Sequence, residues 1–124
     1  MTTEAKEIKD GIVEVDTEKG KIFGLTGDKF SEGTYLWKMG DDVYVSFIMS
    51  LREGKGNVSR LFDRIKELGF NVVVPHPMGK MVLILIKKGF QPKKVWDDTF
   101  NDYVDVWRED AKLVAIIKNR KLKD

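Results

Sequence analysis

Apolar and charged residues alternate with a period of two through residues 11–16 (GIVEVD), the pattern of a half-buried strand. Residues 20–28 (GKIFGLTGD) read as a second strand, bounded by Gly20 and the Gly27-Asp28 turn signal. A third strand is predicted over residues 34–39 (TYLWKM), and the GDD that follows at 40–42 is a hairpin signal. Residues 43–51 (VYVSFIMSL) are rich in β-branched and aromatic side chains and almost continuously apolar. That pattern predicts a central strand buried on both faces.

The period then changes. Val58, Leu61, Phe62, Ile65 and Leu68 fall at i, i+3, i+4, i+7 and i+10, one face of a helix. Asn57 is the expected N-cap and Gly69 the expected residue just past the C-terminus. Residues 70–75 (FNVVVP) form a short buried strand. A strand, a helix and a second strand in close succession predict a right-handed crossover between two parallel strands. Residues 78–89 (MGKMVLILIKKG) have no clean polar gap. Their length and the closing Lys87-Lys88-Gly89 favour a helix, with a strand as the alternative. KKVWDD and YVDVWRE alternate and predict an antiparallel pair. The last fifteen residues (DAKLVAIIKNRKLKD) predict a helix with a basic end, LVAII being readable as an edge strand. The order is strands first, then β-α-β-α, then two more strands. The expected class is a mixed α/β (α+β) fold with a mixed central sheet, a βαβα core and flanking antiparallel strands.

Composition narrows this little. A chain of 124 residues is expected to form one domain, 1–124, with a modest core. Apolar content of 42% against 34% charged residues describes a folded protein. A net charge of +2 gives no strong nucleic-acid signal. There are no cysteines, which excludes disulfides, thiolate metal sites and cysteine nucleophiles, and one histidine excludes an all-histidine metal cluster. The polar start, MTTEAKEIKD, is not a secretory signal. No apolar run approaches the roughly 18 residues of a membrane span. The expectation is a cytoplasmic protein with no membrane partner, and a homodimer is compatible with the sequence.

The loop between the apolar stretch and the first long helix carries the candidate chemistry. LREGKGN places Gly54, Lys55 and Gly56 directly before the helix. The bland reading is a tight strand-to-helix turn. The functional reading is a phosphate cradle: the first amides of a helix lack internal acceptors, and glycines let an anion approach the backbone. The spacing is neither a Walker motif nor GxGxxG. His76, set between two prolines, is either an exposed loop histidine or a general base. Glu14, Glu53 and Asp98 are weaker base candidates. Met78, Met81 and Leu85 read as core, and Trp37, Trp96 and Trp107 as packing residues. KNRKLK reads as a solvated tail and DDTFNDYVD as a hairpin rim.

Three segments resemble the GCN5-related N-acetyltransferase family. IMSLREGKGNVSRLFDRI is similar to its strand-loop-helix acetyl-CoA motif, LGFNVVVPHP to its fifth strand, and MVLILIKKGFQPKKVWDD to its next helix, which closes in a Gly-Phe pair, here Gly89-Phe90. The likeness covers about residues 43 to 107. The chain departs from the pattern at Leu51, where the family has Gln or Arg with Arg52 one residue late. It departs again at Leu85, where a tyrosine is common, and it lacks an asparagine near the start of that helix. The N-terminal region is short for the family's pair of early helices.

The resemblance implies acetyl-CoA as cofactor, an amine of a small molecule or protein as substrate, and acetyl transfer by direct attack of the amine on the thioester. It places the amides of Gly54, Lys55, Gly56, Asn57, Val58 and Ser59 around the pyrophosphate, with Arg52 nearby. It gives the backbone groups of Ile48 and Ser50 to the pantetheine arm and the role of base to His76. Two alternatives remain open: a non-catalytic CoA-binding or regulatory module on the same fold, and a small α+β interaction domain without a cofactor.

Overall fold

The computed structural model describes residues 8–51, 56–77 and 79–123. It shows a mixed α/β protein, with six strands and four helices among those residues. The chain divides into two compact units, Met1–Val72 and Val73–Asp124. No helix of the described residues is long and apolar enough to cross a membrane.

The first unit opens with β1 (Gly11–Glu14), α1 (Glu18–Phe23), β2 (Tyr35–Met39) and β3 (Asp42–Phe47). The three strands pair antiparallel in chain order. Ile12 and Val13 lie opposite Trp37 and Leu36, and Trp37 lies opposite Tyr44, with a bulge between Tyr35 and Trp37. One face of these strands carries Val13, Leu36, Val43 and Val45, all buried. Phe23, Leu25 and Phe30 join the core, with Leu61, Phe62 and Ile65 from α2 (Asn57–Glu67). Phe70 follows α2 and meets Phe23 with ring centroids 5.8 Å apart. The α2 C-terminus closes on Gly69 (φ 93°): its N–H reaches the Lys66 carbonyl at 2.9 Å and Phe70 N–H the Ile65 carbonyl at 3.2 Å. β4 (Asn71–Pro75) begins beside the start of β3, where Asn71 N–H donates to the Asp41 carbonyl at 2.7 Å.

Lys38 is the one charged side chain among the buried residues described. Its ammonium donates to Asp10 Oδ1 at 2.8 Å and sits 5.1 Å from the centre of the Phe70 ring. The same carboxylate oxygen accepts Gly40 N–H at 2.9 Å, which ties the β2–β3 turn to the segment before β1. These two bonds hold the Asp10 carboxyl below the ordinary carboxylate range, the Lys38 bond first.

Three expectations are corrected in this unit. Residues 20–28 are not a strand: 18–23 form α1. Thr17 caps it, accepting Gly20 N–H on Oγ1 at 3.0 Å, and Gly24 ends it at φ 83°. Gly20 faces β1 so closely that a Cβ there would lie 2.1 Å from the Glu14 carbonyl oxygen. A glycine that reads as a strand boundary is thus the contact that lets a helical turn pack on a strand. The second correction concerns residues 43–51. The strand stops at Phe47, and Val43 and Val45 are buried while Tyr44 between them is half-buried and Ser46 is exposed. It is half-buried, not buried on both faces. The third concerns the tryptophans. Trp37 is 44% exposed on the outer face of β2, beside Ile12 and Met39, so it does not pack in the core.

In the second unit, Val73, Val74 and Pro75 of β4 pair antiparallel with Arg108, Trp107 and Val106 of β6 (Asp102–Glu109). β6 also forms a long hairpin with β5 (Phe90–Asp97), in register from Phe90 opposite Glu109 to Asp97 opposite Asp102. Asp97 Oδ1 accepts Thr99 N–H at 2.8 Å and Phe100 N–H at 3.3 Å, which shapes the turn. The predicted helix before β5 is α3 (Lys80–Lys87), with Leu85 fully buried, and the last helix is α4 (Ala111–Lys123). Asp110 caps α4 by accepting Lys112 N–H at 2.9 Å and Leu113 N–H at 3.1 Å. Gly89 (φ 85°) lies under α4: a Cβ there would sit 2.8 Å from Val114 Cγ2 and 3.0 Å from Val114 N. Phe90 beside it is buried. The Gly-Phe pair therefore has a packing reason in this chain. Trp96, expected to pack, is 51% exposed at the end of the hairpin, and Trp107 is half-buried.

Candidate functional site

After β3 the chain runs extended from Ile48 to Leu51 against residues 29–34. Ser31 N–H donates to the Met49 carbonyl at 2.9 Å, and Leu51 N–H to the Lys29 carbonyl at 2.9 Å. Thr34 completes the latch, its hydroxyl accepting Met49 N–H at 2.9 Å. Phe30 and Ser50 face each other as an antiparallel bridge. Extended backbone alternates the direction of its polar groups from one residue to the next. Met49 and Leu51 point theirs at residues 29–34. Ile48 and Ser50 therefore turn theirs the other way, where they meet no backbone partner among the described residues. These are the two residues that the family resemblance assigns to a pantetheine arm.

The helix that follows starts open. Gly56 is its N-cap at φ 80°, and no side chain caps it. The first turn holds no acid. The amides of Asn57, Val58 and Ser59 thus lie at the positive end of α2, where the described residues supply no capping side chain and the first turn no carboxylate. Asn57 is not the expected N-cap. It is the first helical residue, its side chain is buried, and it points back into the protein rather than over the amides. Its Nδ2 donates to Ser50 Oγ at 3.2 Å and to the Lys29 carbonyl at 3.3 Å. The amide therefore ties the extended segment and the start of α2 into one piece. Arg52, Gly54 and Lys55, and Glu53 with them, lie outside the described residues.

Arg60 is a site residue that sequence reasoning misses. Its Nη2 donates to Asn57 Oδ1 at 2.7 Å, and its Nη1 stands 3.0 Å from where a Cβ on Gly56 would be. The guanidinium thus folds back over the opening turn of α2 and adds a cation there. The signal lay in its spacing, three residues after Asn57, which puts both on one side of a helical turn.

His76 belongs to the second unit. It is exposed at the end of β4 with φ 48°, its N–H donates to the Asp105 carbonyl at 3.2 Å, and its ring meets Phe100 edge-on at 6.2 Å. Of the other base candidates, Glu14 is exposed on β1 and Asp98 accepts the Trp96 indole N–H at 2.7 Å. Met81 is half-buried on α3, and Met78 lies outside the described residues. Comparison with protein-family models, with curated proteins and with solved structures finds no match to this chain.

Proposed function

We propose that the protein binds acetyl-CoA along residues 48–59 and transfers its acetyl group to an amine, as a member of the GCN5-related N-acetyltransferase family. One observation carries the reading: the acid-free start of α2, with no side-chain cap, is fastened through Asn57 to an extended segment whose Ile48 and Ser50 backbone groups meet no backbone partner among the described residues. A pyrophosphate needs the first feature and an amide-bearing pantetheine arm needs the second. The residues fit the cofactor in kind: Gly56 has no side chain to block an anion, and Arg60 stands beside the amides as a counter-charge.

Bound acetyl-CoA supplies an activated thioester carbonyl. The chain's own part is to hold and orient. The Gly56, Asn57, Val58 and Ser59 amides bind phosphate oxygens, and Ile48 and Ser50 align the arm as an added strand would. The resemblance assigns the role of base, taking the proton from the amine, to the exposed His76. A second reading, a non-catalytic CoA-binding module, is favoured by Leu85. The resemblance puts a tyrosine there, and in this chain the side chain is wholly enclosed in the core.

Thermal denaturation with acetyl-CoA and with CoA tests the shared part of both readings. Ligand at a hundred times its Kd stabilises by about 2.7 kcal/mol. No shift with either compound sinks both. With a shift in hand, thiol release over a panel of amines separates the enzyme from the module. An unchanged rate in His76→Ala removes the histidine from the mechanism.

A further inference from the structure

β5 ends the sheet, pairing among the described residues with β6 alone. The direction of its free backbone groups follows from one bond. Asp110 N–H donates to the Gly89 carbonyl at 2.8 Å, which makes Phe90 opposite Glu109 a non-hydrogen-bonded pair and Gln91 opposite Arg108 a hydrogen-bonded one. Odd-numbered residues of β5 therefore address β6. Pro92, Lys94 and Trp96 turn their backbones to the open edge. Pro92 has no N–H to offer there, so the usable edge is Lys94 to Trp96.

Edges of this kind recruit another strand unless they are blocked. The side chains here are unusual for a blocked edge. Val95 is 41% exposed and Trp96 51%, and Phe100 and Tyr103 around them are exposed as well. Trp96 packs edge-on against Tyr103, with centroids 5.3 Å apart. The Lys93 ammonium has no partner among the described residues, while Lys94 is held by Asp105 at 3.3 Å.

We propose that β5 pairs with β5 of a second copy of this chain, antiparallel about a twofold axis at Val95. The register is chosen by charge. Centred on Val95, the pairing sets Val95 against Val95, Lys94 against Trp96 and Lys93 against Asp97 of the other copy. Lys94 and Trp96 are both edge-facing, so each pair exchanges two backbone hydrogen bonds. Lys93 gains a carboxylate on one face, and Lys94 gains an indole on the other. Shifting the centre to Lys94 sets two lysines directly opposite each other and asks Pro92 for a donor it lacks. The two copies thus present the same patch to each other, as a closed dimer requires.

Sedimentation of the full chain over a concentration series is expected to show a reversible species of twice 14.3 kDa. Lys93→Asp puts an aspartate opposite Asp97 of the partner and is expected to weaken the dimer by at least about tenfold. The chain has no cysteine, so one introduced at the axis reports its own partner. In a non-hydrogen-bonded antiparallel pair the Cα atoms are about 4.5 Å apart, within disulfide range. Val95→Cys is therefore expected to cross-link in oxidised glutathione far faster than Thr99→Cys, an exposed turn position that the register keeps away from its copy. A wild-type chain that stays monomeric across the series, or cross-linking of Val95→Cys no faster than the control, would overturn the dimer. An unchanged dimer in Lys93→Asp would overturn the register.

Discussion

The two helices of the first unit begin in opposite ways. α1 is closed: Thr17 caps it, Glu18 sits in its first turn, and Gly20 presses on the Glu14 carbonyl. α2 is open: its N-cap is a glycine, its first turn has no acid, and the polar side chain best placed to cap it, Asn57, is turned inward to Ser50 and Lys29. Their C-termini both close on a glycine with positive φ, Gly24 and Gly69. The difference is confined to the amino ends. Closure is therefore within the reach of this chain, and at the start of α2 the Asn57 side chain is spent on Ser50 and Lys29 instead.

The largest test of that contrast is a pair of identical substitutions. By helix propensity alone, Gly20→Ala should stabilise by about 1 kcal/mol. The contact with the Glu14 carbonyl reverses the sign, and a net loss of about 2 kcal/mol is expected in urea denaturation. Gly56→Ala meets only the movable end of Arg60, so its cost is that of a left-handed backbone, about 1 kcal/mol. CoA affinity should respond in the opposite order, falling in Gly56→Ala and holding in Gly20→Ala. Equal stability losses would show that Gly20 is not a packing glycine.

A smaller effect separates cap from packing. Thr17→Ala is expected to cost about 1 kcal/mol, the ordinary value of a lost N-cap. Asn57→Ala removes no cap, because Asn57 lies inside α2 and its side chain does not bond the first amides. Its effect should appear in ligand binding, as the tie between Ser50 and α2 is lost. A purely structural role for Asn57 would move stability and leave binding alone.

Asp10 extends the closed side of the comparison into pH. Its folded pKa lies below 3.8, chiefly through the Lys38 bond and then the Gly40 amide. The ionised form is the stabilising one. Its contribution is complete above the unfolded value, and it is lost as pH falls through 3.8 and then through the lowered folded value. Asp10→Asn should therefore be less stable than the wild type at neutral pH, with the gap in denaturation midpoint closing in strong acid. A gap that persists unchanged there would mean that the carboxylate's charge does not matter.

Much of this architecture is legible in the chain. α2 declares itself through five apolar residues on one face, and the β5–β6 hairpin through alternation. α1 is not legible by the same means. Its six residues are too few for a helical period, and Gly20 and Gly24 read as breaks until the contact with β1 is known. Thr17 followed by Glu18 was the available signal. The glycines before α2 mark the loop, but the latch does not show in the sequence. Thr34, Lys29 and Asn57 act across separations in sequence that no local pattern records. The buried strand inferred for 43–51 fails for a related reason. Apolar letters at Met49 and Leu51 count toward burial, yet both side chains are exposed where their backbone is held by residues 29–34.

The smallest expected change in stability is also the sharpest test of what the open start is for. Ser59→Asp places a carboxylate in the first turn of α2, where the helix has none. A negative charge there interacts favourably with the helix dipole and with Arg60, so the variant should be more stable by about 0.5 kcal/mol. The same carboxylate occupies the electrostatic position of the pyrophosphate, and CoA should bind more weakly. An anion site is thus expected to trade the two quantities against each other, with stability rising as affinity falls. A plain strand-to-helix turn has nothing to trade. In that case Ser59→Asp gains stability while the thermal shift with CoA, whatever its size, stays the same.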